Sequence, residues 1–243
     1  MVEGLYTAAA GMAAQQVQLE AVSNDVANLS TAGYQSQRVA FRDLLYSPLN
    51  IAGTTTTSGA GASAQLLGRS AAPGTLVETG RPLDLAIEGD GYFLVKLPSG
   101  GQALTRNGSF TLDANGRLGD AAGDLLAPPI TVPAGVSASQ LSVATDGTLS
   151  AAGRTLGRIQ LVTVPAPDRL LATSGSLLTP TAASGAVRPA SAARIRQGAL
   201  EQSNVDLGRA MTQLMTTERS FQMSSNALQT ESQMMSIANE LRA

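Results

Sequence analysis

The sequence contains no histidine, no cysteine and no tryptophan. Without histidine or cysteine there is no Ser-His-Asp or Cys-His nucleophile, and every usual zinc site is excluded with them. With no thiol to oxidise, cysteine usage says nothing of the redox compartment. Four Tyr and four Phe in 243 residues leave few platforms on which a sugar or base can stack. Charge is sparse as well: 16 Lys and Arg against 18 Asp and Glu, a net of −2, so no basic face for nucleic acid is implied. No apolar run reaches the roughly 18 residues that suggest a transmembrane helix. Residues Met1 to Ala14 hold Glu3 where a signal peptide is positive, and they lack a sustained apolar core. They are therefore read as mature sequence.

What is present divides by periodicity. Near the C-terminus, Leu207, Leu214, Phe221, Leu228 and Met235 fall seven apart, and Met211, Met215, Ala227, Met234, Ile237 and Leu241 widen that row. Ser203 or Asn204 can cap this helix, with Asp206 three residues after Ser203 in a capping-box-like spacing. No Pro or Gly interrupts from Arg209 onward. A helix from Val205 to Ala243 would run about 58 Å at 1.5 Å per residue, too long for a small domain without a partner. The N-terminus supplies one: Leu5, Met12, Leu19 and Val26 are also seven apart, with Ala8, Val22 and Leu29 at the alternate heptad position. Gly33 can take the left-handed conformation past the end of that helix.

From Leu5 to Leu29 only Glu20 and Asp25 carry charge, whereas a coiled coil alone in water carries Lys and Glu on its flanks. Gln15, Gln16, Gln18, Ser23 and Asn24 stand there instead, beside Ala8, Ala9, Ala10, Ala13 and Ala14. An Ala-rich intramolecular hairpin is one reading. The other is helices packed on several sides by copies of themselves, ordered on assembly, because narrow-striped helices with few ion pairs are marginal alone. Met211, Met215, Met223, Met234 and Met235 read as adaptable packing against unlike neighbours.

Between the helices the period becomes two. Leu83, Leu85 and Ile87 alternate with Asp84, Ala86 and Glu88, predicting a half-buried strand. Gly89-Asp90-Gly91 turns the chain into Tyr92 to Leu97, and Asn107-Gly108, Asn115-Gly116 and Asp146-Gly147 are further tight-turn signals. Thr155 to Val164 predicts a late strand, and Thr179 to Ser191 an exposed low-complexity stretch. Ile51 to Gly74, with Thr54 to Thr57 in a row and then Ser58 to Ser63, reads as a flexible or loosely ordered connector by composition. The expectation is an α+β chain: heptad helices at both ends forming a coiled-coil-like helical domain, and an all-β middle domain. Its parts are the N-terminal helix at 1–33, a connector at 34–75, the β-rich domain at 76–198 and the C-terminal helix at 199–243.

Two other classes are tested by the same residues. A secreted glycosidase needs two carboxylates across a cleft, but Asp84 and Glu88 on one strand point the same way, and Asp90 between glycines suits a turn. Gly89-Asp90-Gly91 lacks the third glycine and following helix of a dinucleotide fingerprint. A binding module on a coiled-coil stalk explains the heptads, although stalks are usually continuous rather than split between the termini. No catalytic residue, cofactor site, metal site or small-molecule substrate is expected.

Four stretches in order carry a family resemblance. Ser23-Asn24-Asp25-Val26-Ala27-Asn28-Leu29-Ser30-Thr31-Ala32-Gly33-Tyr34 is similar to an N-terminal signature of Asn-Asn-Leu-Ala-Asn followed by Thr-x-Gly-Tyr or Phe, with Asp25 and Val26 as departures. Leu83 to Phe93 and Thr105 to Asp113 are similar to two characteristic β segments. Glu201-Gln202-Ser203-Asn204-Val205-Asp206 and Arg219-Ser220-Phe221-Gln222 are similar to a C-terminal signature. Together they resemble the flagellar basal-body rod proteins, within the rod and hook family of axial proteins. The resemblance implies a rod subunit, exported through the flagellar type III apparatus without a cleaved signal and located in the extracytoplasmic basal body. It implies a self-assembling helical tube that joins other rod and hook subunits. The length leaves no room for the large outer insertion usual in hook subunits. Phe41-Arg42-Asp43-Leu44-Leu45-Tyr46 resembles the corresponding stretch of distal rod proteins, and although the chain is rather short for these, the resemblance leans to distal over proximal. The expected assembly interface comprises Leu5, Met12, Leu19, Val22, Val26, Asn24, Asn28, Leu207, Met211, Leu214, Phe221, Leu228 and Met235.

Overall fold

The computed structural model describes residues 2–44, 47–51, 54–59 and 61–240. Leu45, Tyr46 and Leu241, singled out above, lie outside the described residues. Two compact units are formed, one from Met1–Val26, Gln37–Leu67 and Asp206–Ala243, the other from Ala27–Ser36 and Gly68–Val205. The architecture is α+β, with a helix near each end of the chain and a many-stranded middle.

In the first unit, α1 spans Val2–Ala27 and α2 spans Leu207–Glu240. The cap of α2 is Asp206, not Ser203 or Asn204: its Oδ1 accepts the Arg209 N–H at 2.9 Å. Asp206 directly precedes the first helical residue, from where a short carboxylate reaches the third free amide. Ser203 instead closes a turn by accepting the Val205 N–H at 3.3 Å. Similarly, α1 ends at Ala27, before Gly33, which does take a left-handed φ of 67° but in a later turn.

The stretch expected as a connector carries strands. Gln37–Asp43 pairs with Ala62–Arg69, and Ser47–Ile51 forms an antiparallel hairpin with Thr54–Ser58. The threonine run that looked loosely ordered by composition is β-branched, and such side chains favour extended backbone. This region is tied to α1 at two points. The Gln37 N–H donates to Asp25 Oδ1 at 3.0 Å, and Gly61 lies so close that a Cβ there would sit 3.1 Å from both the Ala10 Cβ and the Thr7 carbonyl.

The second unit is built on a nine-stranded sheet. Its main path runs Leu171–Ser174, Leu177–Thr179, Gln102–Thr105, Tyr92–Lys96, Leu125–Leu126, Leu118–Gly119 and Thr111–Leu112; Leu161–Thr163 also pairs with Tyr92–Lys96 and carries Arg188–Pro189. All of these registers are antiparallel. Strand alternation sends Phe93, Val95 and Ala103 into one core and Tyr92 and Leu104 into another. In the larger core the Phe93 and Phe110 rings meet edge to face, 5.2 Å apart.

Leu85–Glu88 departs from the expected alternation. Asp84, Leu85, Ala86 and Ile87 are all buried and only Glu88 is exposed. The strand pairs with Arg194–Gln197 and lies near Ala199–Glu201, and with consecutive side chains buried both of its faces are covered. The single late strand is two, Arg154–Arg158 in a three-stranded sheet and Leu161–Thr163 in the large one. Between them Ile159, buried, donates its N–H to the Gly147 carbonyl at 2.8 Å. Within the low-complexity stretch, Ser184 is fully buried and bonded to Thr181.

Candidate assembly surfaces

The two helices present different surfaces in a single chain. On α1, Ala14, Gln18, Ala21, Val22 and Asp25 are buried. They recur three or four apart, as one helix face does. Met12, Leu19 and Val26 are only half-buried; at 3.6 residues per turn their row lies roughly 120° around the helix from that stripe. Val22 is thus the one heptad residue on the buried side. Asn24 is exposed, and its Oδ1 accepts the Gln37 Nε2 at 3.4 Å. Leu5 lies in α1 and Met235 in α2, but their side chains are outside what the structure describes.

On α2, Ala210 and Thr217 are buried, and of the expected heptad row Leu214 and Leu228 are half-buried. Phe221 falls on the same face and remains 37% exposed. Leu207, Met211, Met215, Met223, Met234 and Ile237 are exposed. Apolar side chains in such number on one exposed helix are unusual for a chain that stays alone.

In the second unit, the signature stretches converge on a buried ion pair. Arg106 donates through Nη1 to Glu201 Oε2 at 3.0 Å, and each side chain is 2% exposed. Arg106 Nη2 also donates to the Gly89 carbonyl at 3.1 Å, and the guanidinium stands 5.3 Å from the centre of the Tyr92 ring. The other Glu201 oxygen accepts the Gly74 N–H at 2.9 Å, while its backbone carbonyl accepts the Gly33 N–H at 2.8 Å. A Cβ on Gly33 would lie 2.3 Å from the Asn107 nitrogen. That contact, together with its left-handed φ, requires glycine there.

Asn204 closes the same junction. Its Oδ1 accepts the Ser36 N–H at 2.7 Å, and its Nδ2 donates to the Ala72 carbonyl at 2.7 Å and the Ser70 carbonyl at 3.4 Å. The Arg69 guanidinium stacks 4.6 Å above the Tyr34 ring. Asn28 is placed locally, its Oδ1 accepting the Thr31 hydroxyl at 3.2 Å. Sequence reasoning singled out these stretches but gave Arg106 and Glu201 no role, and it offered Asn204 only as a helix cap. The available signal was the placing of an Arg and a Glu inside two signature stretches of a charge-poor chain.

Burial pushes the Tyr92 hydroxyl above its ordinary pKa. A side-chain hydrogen bond with Gln35 and the Arg106 charge oppose that rise, while Glu201 and Asp168 add to it. The carboxylates weighed for catalysis do not flank a cleft. Asp84 is buried beside Arg81, and Glu88 faces Arg196 at 3.7 Å. Among the described residues no cluster of three metal-ligating side chains occurs, and no helix is long and apolar enough to cross a membrane.

Comparison with known proteins agrees with the placing of these stretches. Residues 5–35 match the flagella basal body rod protein family, residues 86–151 the flagellar hook protein FlgE/F/G D1 domain, and residues 196–241 the flagellar basal body rod FlgEFG protein C-terminal family. The chain is 36% identical to the flagellar basal-body rod protein FlgG of Caulobacter vibrioides, over 99% of this chain and 100% of that protein. It is 34% identical to the protein of the same name from Borreliella burgdorferi, over 100% and 99%. It is 32% identical to the flagellar basal-body rod protein FlgF of Salmonella typhimurium, over 99% and 98%. With the three family regions in chain order and identity sustained from end to end, the chain belongs to the flagellar basal-body rod protein family.

Proposed function

We propose that this structural subunit of the flagellar basal-body rod assembles with copies of itself through α1 and α2 into a tubular shaft that transmits torque. The exposed apolar row of α2, headed by Met211 and Met215, carries this reading. A tube that carries torque must resist twisting, and close-packed helices do so because packed interiors have low compressibility. Each apolar side chain taken from water contributes about 1.5–3 kcal/mol, against roughly 1–2 kcal/mol per residue for ordering the backbone. Several faces of each helix must therefore be covered before the balance favours order.

The expected interface residues then act in two groups. Val22, Leu214 and Leu228 hold the single chain, while Met12, Leu19, Val26, Leu207, Met211 and Phe221 face neighbours. Neighbouring subunits of the rod and hook complete the shaft at its ends. The chain reaches the basal body through the flagellar type III export apparatus. It acts on no small molecule, catalyses no reaction and binds no nucleic acid.

The test is Leu19→Asp and Met215→Asp, each introduced singly. Both variants are expected to keep the near-ultraviolet signal of the aromatic-bearing β unit and to fail to enter the rod. Normal rod assembly and motility from either would overturn the reading.

A further inference from the structure

We infer that the exposed methionine face of α2 is a site of sulfoxidation, and that oxidising it blocks assembly of this chain with a second copy. This rests on the assembly reading above. The chain has neither cysteine nor tryptophan, so thioethers are its most readily oxidised side chains. Five of its seven methionines lie in residues 211–235, and the other two are Met1 and Met12, so the β unit has none.

Oxidation therefore spares the β unit. Met211, Met215, Met223 and Met234 are 40%, 55%, 66% and 54% exposed, whereas Met12 is half-buried. At 3.6 residues per turn the four lie roughly 90–150° around α2 from the covered stripe of Ala210, Leu214, Thr217 and Leu228. They can react without α2 losing its own packing.

The oxidant is a peroxide. The thioether sulfur attacks one peroxide oxygen and the O–O bond breaks. That oxygen stays on sulfur as the sulfoxide, and the other leaves as water with both protons. Sulfur loses two electrons and the peroxide gains them. The product is polar where the interface needs an apolar, adaptable chain. A neighbouring subunit that covers it buries an oxygen with no donor, lowering association about tenfold for each unsatisfied sulfoxide.

Full-length protein is treated as monomer and, separately, as polymer with dilute hydrogen peroxide. Oxygen addition at each methionine is located by peptide mass spectrometry, and polymer yield is followed by sedimentation. The expected result is faster oxidation of the four α2 methionines than of Met12 in the monomer, their protection in the polymer, and a fall in yield of tenfold or more after oxidation. A variant with all four changed to Leu keeps Met12 and Met235 and is expected to lose only a small part of its polymer yield to peroxide. Oxidised protein that polymerises as well as untreated protein overturns the inference. So does a Leu variant as sensitive to peroxide as the unchanged protein, or equal oxidation in monomer and polymer. Untreated protein that never polymerises instead overturns the assembly reading, and this inference falls with it.

Discussion

Arg106 and Glu201, 95 residues apart in the chain, form an ion pair of 3.0 Å with 2% of each side chain exposed. Two charges removed from water this far are costly unless their remaining hydrogen-bonding groups are met. Glu201 is fully engaged, with Gly74 on its second oxygen; Arg106 reaches Gly89 as well, though its Nε is buried and unbonded. The pair joins the Thr105–Asp113 segment to the C-terminal signature and specifies which loop meets which.

Removing one partner leaves a buried charge. Glu201→Ala is expected to destabilise the protein by about 3–5 kcal/mol in urea denaturation, and Arg106→Met/Glu201→Met to cost much less than the two single changes added together. Additive losses would show that the two side chains act separately.

Much of this junction could be located in the sequence, though not understood there. Gly33, Asn107-Gly108 and Glu201 to Asn204 stood out as motif residues, but a motif gives order along the chain and not what touches what. Asn204 looked like a helix cap, since Asn before an apolar helical run ordinarily is one. Only the fold shows Ser36, Ser70 and Ala72 brought to it from more than a hundred residues away. The two helices, in contrast, were legible because period seven survives in a long uninterrupted element. Which face a single chain covers was not. On α1 the buried stripe sets Gln18 and Asp25, polar residues that a hydrophobic count passes over, beside Ala14, Ala21 and Val22. The Leu85–Glu88 strand misled for a related reason: alternation predicts one covered face, and Ala86 is small enough to sit in either setting.

Tyr92 gives the junction a pH dependence with a definite sign. Its folded-state pKa lies above the ordinary 10.0, chiefly because it is buried. Above that value the unfolded chain releases the Tyr92 proton while the folded chain keeps it, so folding stability falls as pH rises, until the folded-state pKa is passed. Below about pH 9 the group is protonated in both states and contributes no slope. Urea denaturation from pH 8 to pH 11 is expected to show the stability advantage of the wild type over Tyr92→Phe shrinking at the alkaline end. A constant difference would mean that Tyr92 titrates alike in both states.

The β domain expected from composition ends at residue 198, three residues before Glu201. A fragment of residues 76–198 keeps Arg106 but loses its carboxylate, and it loses the strand Ala199–Glu201 that pairs with Leu76–Glu78. A fragment of residues 68–205 keeps the ion pair, that ribbon and the bonds of Asn204 to Ser70 and Ala72. Both lack the Gly33 to Ser36 strap, so the ion pair, the ribbon and the Asn204 bonds are the main differences between them. The longer fragment is expected to be more stable by about 3–5 kcal/mol, the penalty for stranding a buried charge. Thermal unfolding of the two, followed by circular dichroism, measures this. Equal melting temperatures would place the boundary at 198 after all and leave the Arg106–Glu201 pair with no part in holding the unit together.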